Sequence, residues 1–291
     1  MFKSKKSNLL INAVIVLLAL LLLFIVIEIF SIDSTNLEIN PDTVLVHFID
    51  VGQANATLMI GPDFTVLVDA GHFRRDDVVP YLRSIGVKEL DLLVGSHPHA
   101  DHIGQFDKVL DAFPVTEVWM SGDVHTTRTF ERAIDAISRS EASYYEPRAG
   151  ESFEIGSLIL EVLNPEQLTG DFHEGCIAIR AVYKDFSVLL TGDIERPIEQ
   201  KLVNEGTYLK STILELGHHG SRTSSSQEFI DAVTPDIAIY SAGRDNEYGH
   251  PHKQVIDRLY ENAIPVYGTD IYGTIVVQTN GFTYELFFEK D

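Results

Sequence analysis

At 291 residues the chain is long enough for one large domain or two modest ones with a real core. A single cysteine, Cys176, excludes an internal disulfide framework and a thiolate metal cage. With 22 lysines and arginines against 43 aspartates and glutamates, the net charge of −21 excludes a broad electrostatic grip on nucleic acid; it leaves room for a small cationic pocket built from metal ions.

The N-terminus reads as a separate object. Lys3, Lys5 and Lys6 precede an apolar run from Leu9 to Ile27 whose only polar residue is Asn12. A helix needs about 20 apolar residues to cross a bilayer, and a signal-peptide core is shorter, about 7–15 residues, ending at a small-x-small cleavage site. The exit here, EIFSIDST, has no such site. The sequence therefore predicts a basic cytoplasmic segment (1–8), an uncleaved transmembrane signal-anchor (9–30), a polar linker (31–43) and one domain over 44–291. Lysines before the span place the N-terminus in the cytoplasm and the domain outside, in a single-pass protein of the cell membrane.

Beyond the linker, β-rich runs alternate with helical patterns. Strands are predicted at 44–51, 65–70, 90–96, 158–163, 177–183, 187–193, 212–217, 236–241, 274–279 and 283–288. Helices are predicted in DDVVPYLRSIG, HIGQFDKVLDAF, FERAIDAIS, RPIEQKLVNEG, SQEFIDAV and KQVIDRLYENA. Mixed strands and helices indicate an α/β layered domain. Two stretches share one order. TVLVD ends at Asp69, a helix follows, and LDLLVGS leads to His97; SVLLTGD ends at Asp193, a helix follows, and TILELG leads to His218 and His219. Two similar halves are expected to face each other, their polar strand ends meeting in one cleft.

The stretch SHPHADHIGQ (96–105) carries the chemistry. Residues two apart in an extended turn project to one side, so His97 and His99 can hold one ion. Asp101 and His102, placed by the pattern at the start of a helix, can hold another. Imidazole and carboxylate suit zinc, iron or manganese.

HPHADH resembles the H-x-H-x-D-H signature of the metallo-β-lactamase superfamily. HFIDVGQANATLMI, TVLVDAG, SHPHADHIG, SVLLTGDIE, LELGHHGSRTSSS and YGHPHKQVIDRL, spread over about 44–280, are together similar to the extracellular hydrolase domain of ComEC/Rec2 competence proteins. The resemblance implies a four-layer αββα sandwich with a two-metal site. It implies His97, His99 and His173 on one ion, Asp101 and His102 on the other, and Asp193 bridging both. A histidine of GHHGS completes the second ion; His219 is the expected ligand, with His218 facing substrate, although the sequence does not separate the two. Asp69 is expected to orient ligands rather than bind. Asp101, His218 and His250 are the catalytic candidates, with His250 a phosphate contact or proton donor. Gly220, Ser221 and Ser224 are candidate hydrogen-bond donors to phosphate. His47, His72 and His125 read as structural or surface residues.

The chain departs from that branch's pattern in three places. Asn55 stands where GQGD has its aspartate, His173, Glu174 and Cys176 where asparagines and a serine are common, and Gln105 where DHIGG has glycine. Two divalent cations, zinc before manganese in affinity order, would hold a hydroxide between them and stabilise attacking and leaving oxygens. The expected activity is hydrolysis of a phosphodiester: nucleic acid by the resemblance, with surface polymers such as teichoic acids or small phosphoesters suiting the acidic chain equally well. The alternatives are a β-lactam or other amide or ester hydrolase, and a non-catalytic binding module in an envelope or DNA-uptake complex.

Overall fold

A computed structural model describes residues 42–290. The predicted basic segment, the signal-anchor and all but the end of the linker lie outside the described residues. Among the described residues no helix is long and apolar enough to cross a membrane.

Fifteen strands are described. The first six are β1 (Val44–Phe48), β2 (Thr57–Ile60), β3 (Thr65–Val68), β4 (Leu90–Gly95), β5 (Val115–Met120) and β6 (Ser143–Tyr145). There follow β7 (Ser152–Ile155), β8 (Leu158–Asn164), β9 (Ala178–Tyr183), β10 (Phe186–Leu190), β11 (Ile213–Glu215), β12 (Ile237–Tyr240), β13 (Val266–Gly268), β14 (Ile275–Thr279) and β15 (Tyr284–Phe288). The longer helices are α1 (Val78–Ser84), α2 (Phe106–Ala112), α3 (Arg128–Arg139), α4 (Arg196–Asn204), α5 (Gln227–Val233) and α6 (Lys253–Glu261). The strands form two sheets, ordered β15-β14-β1-β2-β3-β4-β5-β6 and β13-β12-β11-β10-β9-β8-β7.

Side-chain alternation along the strands explains the layering. In β3, Val66 and Val68 enter a core shared with Leu160, Val188 and Ile213 of the other sheet, while Leu67 turns to a second core under α1 and α2. In β4, Leu92 and Val94 face the other sheet and Leu93 faces the helices. Leu189 and Leu214 likewise face a third core, with Phe229 of α5 and Val255 and Leu259 of α6. Strands apolar on both faces read as unbroken hydrophobic runs. Three cores in sequence, helix–sheet, sheet–sheet and sheet–helix, make four layers.

The repeated order forms two matching units. β3 pairs parallel with β4 through Val66 and Leu92, and β10 pairs parallel with β11 through Val188 and Ile213. Each pair is joined by a crossover helix, α1 or α4. Short strands β2, β5, β6, β7 and β13 were not predicted. Thr116 and Glu117 interrupt the apolar pattern of β5, and β7 alternates exposed and half-buried positions at a sheet edge.

One expectation is corrected. No helix begins at Asp101 or His102; α2 starts at Phe106. The intervening backbone donors go elsewhere: Gly104 N–H to Gly71 O at 2.9 Å and Gln105 N–H to Ala70 O at 3.1 Å. The carbonyls that would open such a helix are also taken, Asp101 O by Asn55 N at 3.1 Å and His102 O by Ala70 N at 2.6 Å, so tertiary bonds stand where intrahelical ones would form. The approach is so close that a Cβ on Gly104 would stand 2.2 Å from Phe73 N and 2.4 Å from Gly71 O.

Candidate metal centre

The turn after β4 delivers His97 and His99, and the tight turn at 100–105 delivers Asp101 and His102. The loop between β8 and β9 brings His173; its backbone N–H donates to Asp171 Oδ1 at 2.9 Å, and Asn164 Nδ2 pins the loop by donating to Glu174 O and Cys176 O at 2.8 and 2.7 Å. From the second sheet, the turn after β10 brings Asp193 and the segment after β11 brings His218 and His219. Both histidines have left-handed backbones, φ 52° and 58°, a conformation costing about 1–2 kcal/mol per non-glycine residue and characteristic of functional sites. His218 N–H donates to Gly192 O at 2.9 Å, which ties this turn to the one bearing Asp193.

Two groups of donors result. His97, His99, His173 and Asp193 form one; Asp101, His102 and His219 form the other; within each, one potential ligand atom per residue lies within 4.8 Å of the rest. Asp193 faces both: its Oδ2 is 3.5 Å from His97 Nε2 and its Oδ1 is 3.3 Å from His102 Nε2. His219, buried, donates Nδ1–H to Ser241 O at 2.9 Å and turns Nε2 toward Asp101 Oδ2 at 3.3 Å. His218 is partly exposed, with Nδ1 3.2 Å from Glu195 Oε1 and Nε2 3.7 Å from Asp193 Oδ2. Asp69 belongs to neither group. It accepts from Ser96 N and Ser96 Oγ, both at 2.8 Å, and from His102 Nδ1 at 2.6 Å. That bond fixes the tautomer and frees Nε2 for a ligand.

The donors fit divalent cations. His102 Nε2 and Asp193 Oδ1 are buried yet have no hydrogen-bond partner, an arrangement that native interiors avoid unless something else satisfies the atoms. The nitrogen and carboxylate set suits zinc, manganese or iron. Cys176 belongs to neither group: its buried Sγ lies 3.7 Å from His97 Nδ1 and accepts from Asp193 N at 3.3 Å, and burial pushes the thiol up.

The electrostatics separate two neutral imidazoles from a strongly basic one. Burial, then the neighbouring His102, hold His97 well below the ordinary histidine value, and burial holds His99 at about 4, so both stay neutral and able to bind. Burial opposes charge on His102, but the Asp193 and Asp69 carboxylates outweigh it and push the ring well up. Burial likewise opposes charge on Asp193, yet His102, His219 and His97 hold that carboxyl well below its usual range.

Above the donors lies an open cavity of about 650 Å³. Its walls include His99, Asp101, His173, Asp193, His218 and His219, together with Arg74, Arg75, Gln53, Tyr248 and His250. Burial, then His219, His218 and His252, draw His250 down to about 4. His72 and His125, read from sequence as structural or surface residues, also line this cavity; their elements fold over the site from outside any motif. His47 is buried away from it, its Nδ1 2.7 Å from Tyr81 Oη.

The predicted phosphate donors are not brought to the cavity wall. Ser224 Oγ donates to Ile194 O at 2.8 Å, Ser221 Oγ pairs with Thr223 Oγ1 at 3.0 Å, and Gly220 packs against Pro251. Ser221 closes its own turn, as serines in such loops often do, while Ser224 ties the loop to the turn that follows Asp193. The departures also have local partners. Asn55 Nδ2 and Thr57 Oγ1 both donate to Glu215 Oε1 at 3.3 Å, so the acid in this place comes from β11. Burial, then Asp69, push the Glu215 carboxyl up to about 8. Gln105 Nε2 donates to Asp77 Oδ1 at 2.7 Å and its Oε1 accepts from Val78 N at 3.3 Å, holding the loop that bears Arg74 and Arg75. Gln53, Arg74, Arg75 and Glu215 were missed as site residues because each is defined by contacts across the fold.

The sequence profile of the Metallo-beta-lactamase superfamily matches residues 49–244. ComE operon protein 3 of Bacillus subtilis is 30% identical over 250 residues, 79% of this chain and 32% of that protein. Recombination protein 2 of Haemophilus influenzae is 31% identical over 253 residues, 82% of this chain and 29% of that protein. The chain thus spans about a third of the length of these curated relatives. Among solved structures, the metallo-beta-lactamase fold protein YhfI from Bacillus subtilis superposes with a TM-score of 0.57 at 12% identity, covering 81% of this chain and 99% of YhfI.

Proposed function

Because this chain belongs to the metallo-β-lactamase superfamily, we propose that it is a membrane-anchored hydrolase that uses two divalent cations, with a phosphodiester as the bond cleaved. The observation that carries this reading is Asp193, buried at the floor of an open cavity with one oxygen toward each group of donors. His97, His99, His173 and Asp193 would hold one ion, and Asp101, His102, His219 and Asp193 the other. Cations held there supply Lewis acidity toward the reacting oxygens and acidify water to the point of nucleophilicity at neutral pH.

The chain's own groups do the rest. Asp69 keeps His102 in the binding tautomer. Asp101, on the cavity wall, would stay ionised: burial opposes its charge, but the hydrogen bond from His219 and the nearby His102 hold it well below the usual carboxylate range. His218, backed by Glu195, faces the substrate side. Arg74 brings positive charge to the cavity wall of a strongly acidic chain, with Arg75 beside it paired to Asp77, which supports an anionic substrate. Nucleic acid, a surface polymer and a small phosphodiester all present that chemistry. The length and apolarity of 9–27 support anchorage with the domain outside the cell.

The test is turnover by the full chain in detergent, loaded with Zn²⁺ or Mn²⁺, on bis-p-nitrophenyl phosphate, DNA and the β-lactam nitrocefin. Phosphodiester cleavage is expected, falling at least about 100-fold in His99→Ala with circular dichroism unchanged. Cleavage of nitrocefin alone, or full activity in His99→Ala, overturns the reading. Metal uptake without turnover on any substrate would point to a binding module.

A further inference from the structure

The loop after β12 crosses to the β1–β2 loop of the opposite sheet, and the two meet at Gly243. A Cβ there would stand 2.8 Å from Gln53 N, so glycine alone permits this backbone approach. At the contact, Gly243 N–H donates to Gln53 Oε1 at 3.1 Å. A main-chain amide only donates, so this bond identifies the oxygen end of the Gln53 side chain. The other end, Nε2, lies 3.3 Å from His250 Nδ1. An amide nitrogen also only donates, so Nδ1 accepts, and the proton of the neutral ring sits on Nε2.

The ring is held in that pose. His250 N–H donates to Asn246 Oδ1 at 3.0 Å, and Asn246 Nδ2 donates to Gly243 O at 2.9 Å, which closes the loop on itself. The Tyr248 ring stacks on His250 with centroids 5.7 Å apart, and the His219 ring stacks at 6.2 Å. His250 and Gln53 share one wall of the cavity.

We propose that Gln53 is a positioning residue that holds His250 as its Nε2–H tautomer, so that His250 donates a hydrogen bond to an anionic oxygen of the bound substrate and takes no proton from it. The nature of that oxygen rests on the phosphodiester reading; the tautomer does not. The device reaches across both sheets: the donor that orients Gln53, the Gly243 N–H, is fixed on the β12 loop, and Gln53 itself is carried by the β1–β2 loop. It also gives a reason for glutamine at this position, since glutamate would accept from Nδ1–H and reverse the ring.

The test uses the full chain in detergent, zinc-loaded and labelled with ¹⁵N-histidine. Long-range ¹H–¹⁵N correlation spectra report which nitrogen of each ring carries the proton, and the His250→Gln variant assigns the His250 signals by their loss. The wild type is expected to show Nε2–H, Gln53→Glu to show Nδ1 protonated, and Gln53→Ala to show a mixture. On bis-p-nitrophenyl phosphate, Gln53→Ala is expected to lower kcat about tenfold, with KM nearly unchanged, as for partial loss of a donor that acts mainly in the transition state. Gln53→Glu keeps the side-chain volume, so it decides the question even if Gln53→Ala fails to fold. A wild-type ring protonated on Nδ1, or one tautomer common to wild type and Gln53→Glu, overturns the inference whatever the activity. A Gln53-dependent tautomer in an enzyme that cleaves no phosphodiester supports the positioning role and overturns the substrate reading instead.

Discussion

His102 is gripped at one ring nitrogen and left bare at the other. Asp69 accepts from Nδ1 while Nε2, buried, has no hydrogen-bond partner and faces Asp193. Asp69→Asn keeps the volume and removes the carboxylate, so metal affinity is expected to fall about 10–100-fold; competition against a chromophoric chelator measures it. His47 shows the opposite use of a buried imidazole. Burial lowers it to about 4, against an ordinary value of 6.5. The unfolded chain therefore takes up a proton at this residue that the folded chain refuses. Stability is full above about pH 6.5 and is lost as pH falls toward 4, by an amount on the order of 3 kcal/mol. His47→Gln is expected to flatten that part of the pH dependence of the urea midpoint.

At the scale of elements, the site is made by turns that backbone hydrogen bonds lock against one another. The 100–105 turn lies on the 70–73 turn through the Gly104–Gly71 and Gln105–Ala70 bonds. A methyl group at Gly104 would meet three backbone atoms, with no flexible side chain to yield. Gly104→Ala is therefore expected to cost about 1–3 kcal/mol and to displace Asp101 and His102, lowering bound metal as well as the melting temperature. Melting followed by circular dichroism, with metal content from elemental analysis, separates the two effects. Neighbouring backbone bonds explain why the helical pattern after HPHADH was misplaced. The residues permit a helix from 102, but the carbonyls of Asp101 and His102 that would open it accept from Asn55 N and Ala70 N, in segments far earlier in the chain.

At the scale of the molecule, the metal donors come from both sheets: His97, His99, Asp101 and His102 follow β4 of the first, while His173, Asp193 and His219 follow strands β8, β10 and β11 of the second. Ions held there would tie the halves of the sandwich together, and a ligand that binds only the folded state raises stability. Chelation is expected to lower the melting temperature by several degrees, about 2–4 °C for each kcal/mol in a domain of this size, with recovery on adding Zn²⁺. An unchanged melting temperature would mean that the donors do not hold ions in the folded chain. The alternation of strands and helices, the repeated strand–Asp–helix–strand–His order and the spacing within HPHADH are legible in the residues alone, because periodicity and short spacings are properties of neighbouring residues. Folding in three dimensions anchored His219 on Ser241 O and left His218 partly exposed, closed Ser221 on its own loop, tied Ser224 to the turn after Asp193, and brought Gln53, Arg74 and His125 to the cavity. Those facts depend on backbone handedness and on contacts between segments far apart in sequence, which no local pattern records.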